Sequence, residues 1–195
     1  MATRAAAPKA ITPTYLLHIE LRGIKPVIWR RLLVPGSVTL GRLHAIILQT
    51  MGWGGGHLHE FIIRDDRYSS TAEWDERPEG TMDGTRVALW RAVGASKQFT
   101  YVYDFGDDWN HKIKVVKIID GYPPLDHPEC VGGENACPPG DVGGVPGYED
   151  FLAAIRDPAH EEHATMLKWC GGAFDPAAFD LDAVNAELSQ IKFRR

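Results

Sequence analysis

The sequence predicts an α+β domain in which an antiparallel-rich sheet carries a packed helix near the N-terminus and a helical layer at the C-terminus. Three observations lead there. Tyr15 to Arg22 alternates, with Leu17, Ile19 and Leu21 on one side and His18, Glu20 and Arg22 on the other, the period of a half-buried strand. From Thr39 the period changes, because Leu40, Leu43, Ile46, Ile47 and Met51 recur at helical spacing. Tyr148, Phe151, Leu152 and Ile155 form a second helical stripe in the C-terminal part.

Taken in order, Tyr15 to Arg22 is followed by a turn at Gly23 to Pro26 and by a second β-rich run, Val27 to Val34, bounded by Pro26 and Pro35. The two make a hairpin on which Trp29 and Arg31 share a face. The helix from Thr39 has Ser37 or Thr39 as N-cap and Gly52 as its stop. After Gly54 to Gly56, His57 to Ile63 reads as a strand with Phe61 and Ile63 on the side of His57 and His59. The polar stretch Arg64 to Thr85 has little periodicity and reads as a loop. Val87 to Val93 is a short helix ended by Gly94, and Phe99 to Asp104 alternates toward a turn at Gly106-Asp107, with His111 to Ile119 returning as its partner. Residues 121 to 147 hold much of the Pro and Gly and read as an ordered loop that something must pin. Helices follow over Tyr148 to Ile155, over Pro158 to Trp169, and from Asp175-Pro176 toward Leu188. With no repeat and no dividing linker, the chain reads as a flexible leader over residues 1–13 and a single domain over 14–195.

A chain of 195 residues with 44% hydrophobic and 24% charged residues has the composition of a globular domain. At this length it buries roughly 70% of the surface its unfolded form exposes, so neither metal nor disulfides are needed for stability. The leader has no apolar stretch of secretory type, and the longest apolar run, Phe151 to Ile155, is far short of a membrane span. Three cysteines, Cys130, Cys137 and Cys170, fit reduced thiols or metal ligands better than a disulfide framework, which points to the cytoplasm. The net charge of −5 argues against a general nucleic-acid binder, but it is unevenly spread. Residues 1–50 hold seven Lys/Arg against the single acid Glu20, giving +6 and leaving −11 for the remainder. Arg22, Lys25, Arg30 and Arg31 on the first hairpin are therefore either a solvated face or an anion and nucleic-acid footprint.

Several residues could carry metal chemistry. His57 and His59, two apart on a strand, would point to one face, where they could ligate an ion or serve as hydrogen-bonded structural histidines. Asp104, Asp107, Asp108 and His111 crowd one hairpin. Carboxylates with imidazole suit a divalent metal ion, although turn capping accounts for Gly106-Asp107 without one. The Asp104 to His111 hairpin is expected beside the His57 strand, because both need the same core. Cys130 and Cys137, with six residues between them, are either ordinary thiols or a metal clip that lacks the tight Cys-x-x-Cys spacing. His160 and His163 could pair on a helix, most simply as part of a solvated face. Gly54 to Gly56 is not a phosphate loop, since it precedes a strand and has no Lys-Ser/Thr after it.

The runs Ile24-Lys25-Pro26-Val27-Ile28-Trp29-Arg30-Arg31, Leu43-His44, Met51-Gly52-Trp53, His57-Leu58-His59-Glu60-Phe61, Tyr103-Asp104-Phe105-Gly106-Asp107-Asp108-Trp109 and Cys137-Pro138-Pro139 resemble the plasmid pRiA4b ORF-3-like family, over roughly Tyr15 to Leu188. The resemblance implies an α+β domain found on plasmids and as a passenger of insertion elements, without an established activity. Some relatives are labelled resolvases, but this chain shows no serine in an Arg-rich constellation and no basic recognition helix. Where the family reads Cys-Pro-Pro-Glu-Asp-Cys-Gly-Gly, this chain has Gly140 for the Glu and Val142 for the second Cys.

Two function classes follow. The first is a non-catalytic binding or accessory module that contacts a protein or nucleic-acid partner through the basic hairpin. The second is a metal-dependent hydrolase of phosphodiester or phosphate substrates, using His57, His59, Asp104, Asp108 and His111 as ligands or general base.

Overall fold

The structure, a computed structural model, describes residues 12–70 and 80–193, so the leader expected over 1–13 lies almost wholly outside it. The strands are β1 (Thr14–Leu21), β2 (Ile28–Pro35), β3 (His59–Ile63), β4 (Asp66–Ser69), β5 (Thr81–Asp83), β6 (Gln98–Tyr103), β7 (Trp109–Ile119) and β8 (Glu129–Glu134). The helices are α1 (Leu40–Met51), α2 (Leu89–Val93), α3 (Gly144–Arg156), α4 (His163–Trp169) and α5 (Leu181–Leu188). Among the described residues the strands form one sheet in the order β5-β4-β3-β6-β7-β1-β2-β8, antiparallel at every pairing except β4 with β5.

Alternation sorts each strand between two faces. In β1, Tyr15, Leu17, Ile19 and Leu21 are buried on the inner face, while Leu16, His18 and Glu20 look outward. The inner face joins one core with the buried stripe of α1, Leu40, Leu43, Ile46, Ile47 and Met51. Each such side chain contributes about 1.5–3 kcal/mol through its removal from water. The helix starts where the Thr39 hydroxyl accepts from the Arg42 N–H and stops at Gly52, whose φ of 83° is the left-handed cap geometry glycine tolerates. α5 packs on α1 and β8, and α3 on α4, forming the helical layer. No helix among the described residues is long and apolar enough to cross a membrane.

The structure departs from the sequence pattern in five places. The polar stretch 64–85 is not all loop, since it supplies β4 and β5, residues 71–79 lying outside the described residues. The Pro/Gly-rich segment 121–147 contains β8, which extends the sheet beside β2. Its glycines are steric: a Cβ at Gly133 would strike the Phe179 ring and the Arg30 stem. The helix expected from Pro158 is only α4, so His160 lies in the preceding turn, accepting from the Glu162 N–H, while His163 opens α4 beside the Ala154 carbonyl. The last helix begins at Leu181 with Asp180 as its cap, and Asp175 closes a separate turn onto Ala177.

The fifth correction concerns Arg30, expected in a basic surface footprint. Strand alternation places it with Ile28 and Leu32 on the inner face, where it is 3% exposed. Its guanidinium donates to the carbonyls of Trp29, Glu134 and Asn135, each at 2.8 Å, and reaches the Thr50 carbonyl and the Cys137 sulfur at 3.4 Å. It also lies over the Phe179 ring, 4.4 Å from the centroid. Arg30 is a structural cross-tie between β2, β8, α1 and the loop after β8. Arg22 and Lys25, at the β1–β2 turn, and Arg31, on the outer face, are exposed. Trp29 shares the outer face with Arg31, as the alternation predicts, and is partly buried there beneath the Arg31 guanidinium.

Candidate metal centre

Three segments far apart in sequence meet at one corner of the sheet. The loop leading into β3 brings His57, the β6–β7 turn brings Asp104, and the loop before α3 brings Asp141. His57 lies between the two carboxylates: Nδ1 is 3.4 Å from Asp104 Oδ2, and Nε2 is 3.1 Å from Asp141 Oδ1. One ligand atom from each residue lies within 4.8 Å of the others, the one such grouping of three among the described residues. Ligand atoms around a single ion sit roughly 3–4 Å apart when the bonds are about 2.0–2.2 Å, a spacing near that of this set.

The backbone holds the corner in place. Asp104 is 8% exposed, and its Oδ1 accepts from the Gly106 and Asp107 N–H groups at 3.0 and 3.3 Å, which leaves Oδ2 turned to His57. Asp107 Oδ2 accepts from the Gly143 N–H, tying the two loops together. The approach is close enough that a Cβ on Gly144 would overlap the Asp107 carbonyl. Asp104, Asp108 and Asp141 all have left-handed backbone, with φ of 56°, 54° and 60°. Such conformations persist where surrounding structure over-determines them, and they gather at functional sites.

The structure brings His57 to Asp104, as the expected adjacency of the two segments requires, with β3 pairing to β6 so that His59 opposes Tyr103. It does not bring the other expected ligands there. His57 precedes β3 rather than lying on it, so it does not share a strand face with His59. His59 is 2% exposed and stacks on His44, the ring centroids 3.5 Å apart, and His44 in turn is hydrogen-bonded to the Tyr101 hydroxyl at 2.7 Å. Asp108 accepts from the Asn110 side chain. His111 is fully buried between Trp53 and Tyr101, its Nδ1 facing the Tyr101 carbonyl. Burial pushes the imidazoles of His59 and His111 down to about 4, and burial together with the His59 charge pushes His44 down to about 3. These three are neutral core histidines.

Cys130 and Cys137 belong to no grouping of three candidate ligands among the described residues. Cys130 is buried and turned to the Gly132 carbonyl, and Cys137 contacts Met51 Sδ at 3.2 Å. Burial raises both thiols, Cys137 to about 11, so each is the protonated form rather than the thiolate that binds metal. Asp141 is the member that sequence reasoning missed. Its signal was position alone, four residues after Cys137 in the motif Cys-Pro-Pro-Gly-Asp.

The same motifs carry the comparison with known proteins, in which the family model "Plasmid pRiA4b ORF-3-like protein" matches residues 13–183. The chain belongs to the plasmid pRiA4b ORF-3-like family. Within reach of that family, an uncharacterized protein, y4hQ, of Sinorhizobium fredii (strain NBRC 101917 / NGR234) is 38% identical over 178 residues, 90% of each chain. The crystal structure of a protein of unknown function, MM3350, from Methanosarcina mazei Go1 superposes with a TM-score of 0.80 at 33% identity, covering 89% of this chain and 97% of that one. In this member of the family the described residues form an eight-stranded sheet whose corner turns carry His57, Asp104 and Asp141.

Proposed function

We propose that the protein is a divalent-metal-dependent hydrolase whose ion is held by His57, Asp104 and Asp141. The observation that carries this reading is the convergence of one imidazole and two carboxylates from three separate loops. One nitrogen and two oxygens suit a borderline ion such as Zn²⁺ or Mn²⁺ and leave coordination positions for water and substrate. His57, Asp104 and Asp141 would hold the ion, which would supply a water made more acidic by coordination and a positive charge facing the electrophilic centre. Calorimetric titration with Zn²⁺ and with Mn²⁺ is expected to give one ion per chain, and His57→Ala, Asp104→Asn or Asp141→Asn to weaken it by roughly tenfold or more. Failure to bind either ion would overturn the metal site. Metal binding without chelator-sensitive turnover of a nitrophenyl ester or bis-nitrophenyl phosphate would overturn the hydrolase.

A second reading, contact with a nucleic-acid partner, is favoured by the outer sheet face. There the register sets His18 beside Arg31 and Lys114, Glu20 beside Lys112, and Leu16 beside Lys117, with Trp29 and His18 at 5.3 Å between ring centroids. Basic groups around an aromatic pair suit a single strand. The basic surface so defined includes β7 and excludes the buried Arg30. Arg31→Glu with Lys114→Glu is expected to abolish salt-sensitive binding of a single-stranded oligonucleotide with the fold intact. Unchanged affinity in that variant would remove this reading.

A further inference from the structure

Beside the candidate metal centre, a cleft of about 380 Å³ opens between α3, α4 and the loop that carries Asp141. That volume lies within the range of small-molecule sites rather than of macromolecular docking surfaces. Its apolar wall includes Phe151, Met166 and Trp169. Phe151 is buried and meets Trp169 edge to face at 5.8 Å, yet Trp169 remains 47% exposed in the cleft, an unusual position for so large an aromatic. The charged residues lining it are Asp141, Asp150 and Glu162, and no lysine or arginine lines it.

This combination selects against some ligands and for others. A phosphate or carboxylate group would meet three carboxylates and no lysine or arginine among the lining residues. A neutral apolar ligand would strip water from carboxylates without replacing it. A cation on an apolar stem satisfies both walls at once, since an ammonium or guanidinium group gains from opposite charge and from an indole face, and the stem covers Phe151 and Met166.

We infer that this cleft binds a small organic cation, its charged group at Asp150 and Glu162 and its apolar body on Trp169 and Met166. On the metal-centre reading proposed above, Asp141 belongs to both sites, so a ligand seated in the cleft has its far end at the ion. On that reading the hydrolase acts on substrates that carry an organic cation.

The test uses benzyltrimethylammonium, benzoate and benzyl alcohol as matched cationic, anionic and neutral probes, titrated calorimetrically into the full chain with and without Zn²⁺. The cationic probe is expected to bind most tightly, to weaken as salt rises, and to lose roughly fivefold in affinity in Trp169→Leu and in the Asp150→Asn/Glu162→Gln double variant. The double variant changes only exposed side chains, so it reports on the cleft even where the tryptophan replacement disturbs α4. Failure of the wild-type chain to bind Zn²⁺ while it still binds the cationic probe would overturn the metal centre alone. Benzoate binding as tightly as the cation, or a double variant that binds the cation unchanged, would overturn the cleft assignment whatever the metal does.

Discussion

Arg30→Met is expected to cost at least about 3 kcal/mol of folding stability, although a surface reading of the sequence would make it harmless. The reason is the set of acceptors left behind. Three carbonyls now served at 2.8 Å, those of Trp29, Glu134 and Asn135, would lose a charged donor in a site only 3% exposed. These bonds are partly buried, so each contributes about 1 kcal/mol, and the contact with Phe179 is lost as well. Arg30→Lys should rescue little, because one ammonium cannot span carbonyls that a planar fork reaches together. Urea denaturation followed by tryptophan fluorescence measures the loss, with Arg31→Glu as the exposed control expected within about 0.5 kcal/mol of wild type. Stability within 1 kcal/mol of wild type for Arg30→Met would contradict the cross-tie. Since Arg30 also grips Asn135 and Cys137, just upstream of Asp141, metal affinity should fall in any Arg30 variant that still folds.

Acid should unfold the protein early, and His111 should account for a separable share of it. In the unfolded chain its imidazole takes a proton near the ordinary value of about 6.5, whereas in the folded protein burial holds it down to about 4. Between those values the unfolded state binds more protons, so stability present above pH 6.5 is lost as pH falls toward 4. For His111 alone the loss approaches about 3 kcal/mol, or a thermal midpoint lower by roughly 6–12 °C for a chain of this size. Backbone hydrogen bonds at Tyr101 and Trp109 favour the charged form, but burial outweighs them. His44 and His59 act in the same direction, but stacked 3.5 Å apart they cannot contribute independently. His111→Phe should therefore flatten the decline in stability between pH 7 and pH 4.5, measured by thermal denaturation. An identical decline in wild type and variant would assign the acid sensitivity elsewhere.

What could be read from the sequence follows from how each residue earns its position. β1 and α1 were legible because one face of each is buried and the other wet, which writes a period of 2 or 3.6 into the chain. β8 was not, because its sequence answers to its neighbours: Gly132 lies against the Trp29 ring and Gly133 under Phe179 and Arg30, so the strand reads as glycine loop. Arg30 was legible from alternation and masked by composition, since arginine is usually solvated. Of the candidate metal set, His57 and Asp104 stood out as motif residues whose segments must share a core. Asp141 did not, because a turn aspartate is common and only the contact between its loop and Asp107 gives it a role.

The strand order also decides when this chain becomes safe from its neighbours during synthesis. β1 and β2 leave the ribosome well before their partners, for Leu21 must wait for His111 and Leu33 for Glu129. Through that interval the hairpin carries Leu17, Ile19, Leu32 and Val34, residues destined for complete burial, with both long edges bare. Such edges pair readily with any other extended chain. This hairpin, interior in the finished sheet, is thus its most adhesive part in the nascent chain until β7 and β8 have been made.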